Sequence, residues 1–260
     1  MIALPALFIS HGAPTLPLED SPARHFIETL GREIPKPRAI LAVSAHWETA
    51  TPAVSTAERP QTIHDFSGFP PELYKLRYPA PGAPELARRA SELLAAKGVK
   101  ADSDQTRGLD HGAWTPLLLM YPQADIPVTQ LSIQPHQGPE HHFRIGEALR
   151  PLREEGVLIV ASGSATHNLR EFRANARGGE PAAWALAFGE WLASAVEQGR
   201  AQDLLTYRSR APEAVRNHPT DEHLLPIFVA AGAATPGVAG QRLHSSYAYG
   251  VIGMDAYRFD

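Results

Sequence analysis

Imidazole is the side chain most often used to hold a transition metal, because its neutral form offers a ring-nitrogen lone pair near physiological pH. The sequence carries 12 histidines and no cysteine. Any transition-metal site must therefore use imidazole and carboxylate rather than thiolate. Six histidines stand beside small or turn-forming residues. They are His11 in Ser10-His11-Gly12-Ala13-Pro14, His46 in Ser44-Ala45-His46-Trp47, His111 in Asp110-His111-Gly112-Ala113-Trp114, His167 after Ser162-Gly163-Ser164, and both His218 and His223 in Asn217-His218-Pro219-Thr220-Asp221-Glu222-His223. Small neighbours leave backbone room for an ion or ligand to approach. Any one such histidine is more ordinarily a hydrogen-bonded loop residue. Several on one face are different: protonated they repel, whereas a divalent cation binds their neutral forms. The pattern points to a metal centre without fixing which imidazoles are ligands. His25, His64 and His244 have no such setting, and His141 and His142 read as surface or helix-side residues.

Other motifs are weaker. Ser162-Gly163-Ser164-Ala165-Thr166 lacks the glycine spacing of a nucleophile elbow, which leaves a serine hydrolase on Ser164 and His167 as a distant alternative. No phosphate-binding glycine loop occurs, and Glu222-His223 is only a fragment of a His-Glu-x-x-His zinc motif.

The elements that must place these side chains alternate between strand and helix. Short apolar runs predict buried strands at Ala6–Ser10, Ala39–Ser44, Val128–Ile133 and Val157–Ala161. Helices are expected from Pro22, capped by Ser21, to about Gly31; from Pro84 to Lys97, stopped by Gly98; from Thr115, as cap, to Met120; and over Gly138–Glu155, Pro181–Gln198 and Asp221–Ala231. Residues 48–82 form a long excursion, with a strand near Ala53–Ser55, that could cover a site. The tail Ser245–Phe259 suggests one or two final strands. Alternation of this kind predicts an α/β fold: a single domain over residues 1–260, with a central, largely parallel or mixed sheet flanked by helices on both faces. In such sheets ligands bind beyond the carboxyl ends of the strands. His11, His46 and His167 each follow a predicted strand.

Composition narrows the partners. With 260 residues, 43% apolar and 20% charged, the chain can bury one sizeable core. A net charge of −4 argues against nucleic acid or an anionic membrane as partner. No apolar run reaches the ~18 residues of a membrane span, and the N-terminus reads as a strand rather than a signal peptide. A cytoplasmic protein, monomer or homodimer, is expected.

Five motifs occur together in order: His11-Gly12-Ala13-Pro14, Ser44-Ala45-His46-Trp47, Asp110-His111-Gly112-Ala113-Trp114 with Pro116 and Leu117, Ser162 to His167-Asn168-Leu169, and His218-Pro219-Thr220-Asp221-Glu222-His223. The set resembles the class III extradiol ring-cleavage dioxygenases with the LigB-type catalytic fold, and within them the 4,5-DOPA dioxygenase-like branch. The resemblance runs from residue 7 to the end and includes Tyr247, Tyr249-Gly250 and Tyr257-Arg258-Phe259.

That resemblance implies non-haem Fe(II) held by His11, His46 and a third ligand, His223, with Glu222 as runner-up. His167 matches the family's acid–base histidine and is close enough in some zinc-loaded members to count as a fourth ligand. His111 matches a histidine that contacts substrate or oxygen. The implied reaction inserts O2 beside the two hydroxyls of a catechol to give a ring-opened semialdehyde, part of aromatic compound metabolism. Redox-active iron is needed because triplet O2 reacts poorly with a closed-shell diol. Trp47, Phe66, Phe69 and Tyr249 are expected to wall a ring-shaped substrate pocket, with Ser10, Ser44 and Asn168 as supporting donors. Two rivals use the same residues differently: a zinc-dependent hydrolase, since Zn(II) accepts an all-histidine site, and a non-catalytic binding protein of the same fold.

Overall fold

The computed structural model describes residues 3–172 and 180–260. Its elements run β1 (Ala6–Ser10), α1 (Pro22–Glu33), β2 (Ala39–Glu48), β3 (Ala53–Ser55), α2 (Pro84–Ala96), β4 (Asp102–Asp104), α3 (His111–Met120), β5 (Val128–Ile133), α4 (Gly138–Leu149), α5 (Pro151–Glu154), β6 (Val157–Gly163) and α6 (Ala183–Glu197). Three helical turns follow, α7 (Ala201–Leu205), α8 (Tyr207–Arg210) and α9 (Ala214–Asn217), then α10 (Leu225–Gly232). The tail holds β7 (Gln241–His244), β8 (Tyr247–Ala248), β9 (Ile252–Gly253) and β10 (Ala256–Phe259).

Eight strands form one mixed sheet in the order β4-β3-β5-β2-β6-β1-β10-β7. Its centre is parallel: β5, β2, β6 and β1 run together, and antiparallel β10 closes one side. Both faces of that centre are buried, and strand alternation shows why. Phe8, Leu41, Val43, Ile159 and Ala161 point into the cluster under α2, α4, α6 and α10, while Leu7, Ile9, Ile40, Leu158 and Val160 point into the cluster under α1 and α3. A strand apolar on both faces costs about 1.5–3 kcal/mol for each large side chain left in water, so helices must cover both sides. Among the described residues, no helix is long and apolar enough to cross a membrane.

Several boundaries differ from the sequence expectation. Helix α3 starts at His111, not after Thr115, because Asp110 caps it by accepting from the Ala113 N–H at 3.2 Å. The expected helix over Gly138–Glu155 is split before Pro151, whose nitrogen cannot donate a helical hydrogen bond. The last long helix begins at Leu225, with Pro226 in its first turn, so Asp221–Leu224 is a turn that precedes it. Strand β2 runs on through His46 to Glu48, with an irregular register after Val43.

The site is positioned by a single row of the sheet. Ser10 of β1 pairs with Gly163 of β6, and Ser162 of β6 pairs with Ser44 of β2. Three central strands thus reach the same level together. His11 lies one residue beyond this level and His46 two.

Candidate metal centre

Three imidazoles converge above that row. The Nε2 atoms of His11 and His46 are 3.0 Å apart, and those of His223 and His46 are 3.3 Å apart. Two of the rings are held from behind through Nδ1, and a carboxylate stands farther off behind the third. The Nδ1 of His11 meets the Ser162 hydroxyl at 2.9 Å, that of His223 donates to Glu222 Oε1 at 3.0 Å, and that of His46 faces Asp65 Oδ2 at 3.5 Å. Carboxylates behind Nδ1 keep the hydrogen there and turn a bare Nε2 forward. The three Nε2 atoms thus meet at close range, where a shared cation would bind the neutral form of each ring. Two nitrogens on one ion at ~2.1 Å lie roughly 3.0–3.4 Å apart for angles of about 90–109°. The observed spacings fit that requirement, so these residues suit a single divalent metal.

Electrostatics agree with a set of neutral ligands. Burial holds the His11 and His223 imidazoles well below their ordinary value, reinforced for His11 by the neighbouring imidazoles. Burial, then His111, lowers His46 to about 4. For Glu222 burial alone would raise the carboxyl, but the His223 ring outweighs it and holds the group at about 2. Glu222 is therefore an anion whose Oε1 is bonded to His223 Nδ1.

Two glycines permit this close assembly. A Cβ on Gly163 would lie 2.0 Å from the His223 carbonyl oxygen, and one on Gly112 would lie 2.3 Å from Ser44 Oγ and 2.9 Å from His46 Cδ2. Beneath the ligands the buried Asp110 carboxylate accepts from the Ser44 hydroxyl at 2.6 Å, from Arg107 at 2.6 Å and from the Gln130 amide. Ser44 Oγ in turn accepts the His46 N–H at 3.1 Å. The network pins the backbone that carries His46. Ser10 and Asn168 bond backbone groups: Ser10 donates to the Asp255 carbonyl and Asn168 to the Arg216 carbonyl.

The centre opens into a cavity of about 300 Å³. His11, His46, His111, His167 and His223 form its polar end, and Phe66, Phe69, Leu169, Phe172, Tyr249 and Ile252 supply much of its wall. Phe66 and Phe69 come from the 48–82 excursion, which does cover the site. Tyr249 packs on Phe172 with centroids 4.5 Å apart and donates to Glu19 at 3.0 Å. Trp47, expected in this wall, is absent from it. Strand alternation turns it away from its neighbour His46, and it is buried beneath the Arg107 guanidinium at 5.1 Å.

His167 is stacked against His223, and burial lowers it to about 4 against the opposing pull of Glu222. His111 sits 4.0 Å from His46, centroid to centroid. His218 faces away, with Nε2 donating to the Ala165 carbonyl at 2.9 Å. His142 is also structural: expected as a surface or helix-side residue, it lies on α4 with its side chain fully buried and accepts the Gln134 N–H at 3.0 Å. The sequence reading missed Asp65 entirely. It stands between two aromatic residues in a proline-rich stretch with no periodic signal. Phe172, likewise unremarked, follows the His167 turn closely, and Leu169 is named in the sequence reading only as the end of the His167 motif.

Residues 5–259 match the family described as the catalytic LigB subunit of aromatic ring-opening dioxygenase. The 4,5-DOPA dioxygenase extradiol of Beta vulgaris is 46% identical over 256 residues, covering 97% of this chain and 95% of that protein. The protein of the same name in Escherichia coli K12 is 44% identical, covering 88% and 85%. Among solved structures, an uncharacterized protein of Escherichia coli K12 superposes with a TM-score of 0.81 at 33% identity, covering 99% of this chain and 100% of that one.

Proposed function

Because the chain belongs to the LigB family of aromatic ring-opening dioxygenases, with extradiol enzymes as its relatives, we propose that it opens a catechol ring with O2 at one ferrous ion held by His11, His46 and His223. The observation that carries this reading is the meeting of three Nε2 atoms, 3.0 and 3.3 Å from one another through His46, at the polar end of an apolar cavity. Three protein ligands on one side of a cavity leave the other side open, as a catalytic rather than a structural site requires.

Ferrous iron, when bound, supplies the electron passage between a diol and dioxygen that zinc, with no redox chemistry, cannot. The protein's own groups do the rest. His167 is neutral at ordinary pH and accepts a proton from a diol hydroxyl in the cavity, then returns it during ring opening. His111 lies beside His46 and offers a hydrogen-bonding nitrogen to substrate or oxygen. Phe66, Phe69 and Tyr249 sandwich the ring and exclude water, so the diol is held in one orientation. The relatives' names concern DOPA; for this chain we assign the wider class of small aromatic diols. A cytoplasmic setting, whose reducing poise keeps iron ferrous, belongs to the same proposal.

The test is an oxygen-electrode screen of catechols, DOPA included, after anaerobic Fe(II) loading. The reading requires catechol-dependent uptake of one O2 per ring opened, lost when zinc replaces iron. Ester or amide cleavage by the zinc form, with no O2 uptake by the iron form, would favour the hydrolase instead.

A further inference from the structure

Asp65 ties the 48–82 excursion to the layer of histidines. Its two carboxylate oxygens have separate duties. Oδ1 accepts the backbone N–H of His111 at 2.9 Å, and Oδ2 meets the ring Nδ1 of the same residue at 2.9 Å. Oδ2 also faces His46 Nδ1, but at 3.5 Å, too long for a strong hydrogen bond. A carboxylate can only accept, so the His111 ring must present N–H at Nδ1. In the neutral ring Nε2 is then the bare nitrogen. His111 is buried, lines the cavity and lies between His46 and Phe66.

We propose that Asp65 is a positioning residue that fixes the hydrogen of His111 on Nδ1, so that His111 offers the cavity an acceptor nitrogen toward a substrate hydroxyl. The role of His111 beside the substrate rests on the function proposed above; the tautomer does not. The alternative is that Asp65 only anchors the start of α3 through the His111 N–H.

One substitution separates the two. In Asp65→Asn the amide oxygen can still accept the His111 backbone N–H. The amide NH2 then faces Nδ1, which must become the acceptor, and the ring hydrogen moves to Nε2. Anchoring is kept while the tautomer is reversed.

The experiment uses the full chain loaded with zinc and labelled with 15N-histidine, His111 being assigned by comparison with His111→Gln. In the unsubstituted protein the His111 signal is expected to show hydrogen on Nδ1 and a bare Nε2. In Asp65→Asn the pattern should reverse, with one zinc per chain retained. In the iron form kcat should fall roughly 10–100-fold, and the double variant Asp65→Asn/His111→Gln should be no slower than His111→Gln alone. An unsubstituted protein whose His111 carries its hydrogen on Nε2 overturns the proposal, even should Asp65→Asn fail to fold. Losses that multiply in the double variant overturn it equally. Because the spectrum needs no turnover, a failed ring-cleavage assay leaves this inference standing or falling on its own.

Discussion

The rings of His167 and His223 lie face to face, with centroids 3.5 Å apart and planes 11° from parallel. Imidazole lone pairs lie in the ring plane, so those of two parallel rings run side by side rather than to a common point. An ion held by the His223 lone pair would not be met by that of His167. The stacking therefore favours His167 as a proton-transfer group over a fourth ligand.

His167→Ala should accordingly keep one metal per chain and lose turnover by about 10²–10⁴-fold, the usual share of a general acid–base group. Metal content and O2 uptake measured on the same preparation check this. Loss of metal together with activity would return His167 to the ligand set.

Gly163→Ala should disturb the centre without touching a ligand side chain. The new Cβ would meet the His223 carbonyl oxygen, a backbone atom that can only move by shifting the turn it belongs to. Overpacking of this sort costs about 1–3 kcal/mol. We expect a lower urea midpoint and weaker zinc binding, read by competition with a chromophoric chelator. Unaltered zinc affinity would mean that the turn bearing His223 yields freely.

The buried His142 gives the fold a pH dependence remote from the metal. Its Nδ1 donates to the Gly138 carbonyl at 2.7 Å, its Nε2 accepts the Gln134 N–H, and burial lowers it to about 4 against that first bond. The unfolded histidine titrates near 6.5. Between these values the unfolded chain binds the extra proton, so stability is full above about 6.5 and falls as pH drops toward 4. His142 should contribute a loss of order 1–2 kcal/mol from pH 6.5 to pH 5. Urea unfolding of the metal-free protein should show a shallower pH slope in His142→Gln, and parallel slopes would refute the assignment.

How much of this was legible in the sequence depended on periodicity. The four central strands are short apolar runs, and the end of the first placed His11; His46 lies within β2, which runs on past Ser44 to Glu48. The full set of imidazoles depended on a register no local pattern records: Ser10 opposite Gly163, and Ser162 opposite Ser44. His223 falls within the helix expected over Asp221–Ala231, whereas Pro226 sets the true start. Asp65 was invisible because its significance is wholly tertiary, lying in contacts with His111 and His46 made by a stretch without repeat or alternation. Trp47 was misplaced because strand β2 was expected to end at Ser44; with the strand continuing, alternation decides its side.

The central claim, that His11, His46 and His223 share one ion, is tested most directly by diffraction from metal-loaded crystals at the absorption edge of the metal. The account predicts one anomalous peak per chain, about 2.0–2.2 Å from all three Nε2 atoms. A peak bound through Glu222 or His167 in place of one of these nitrogens, or lying away from them altogether, would contradict it.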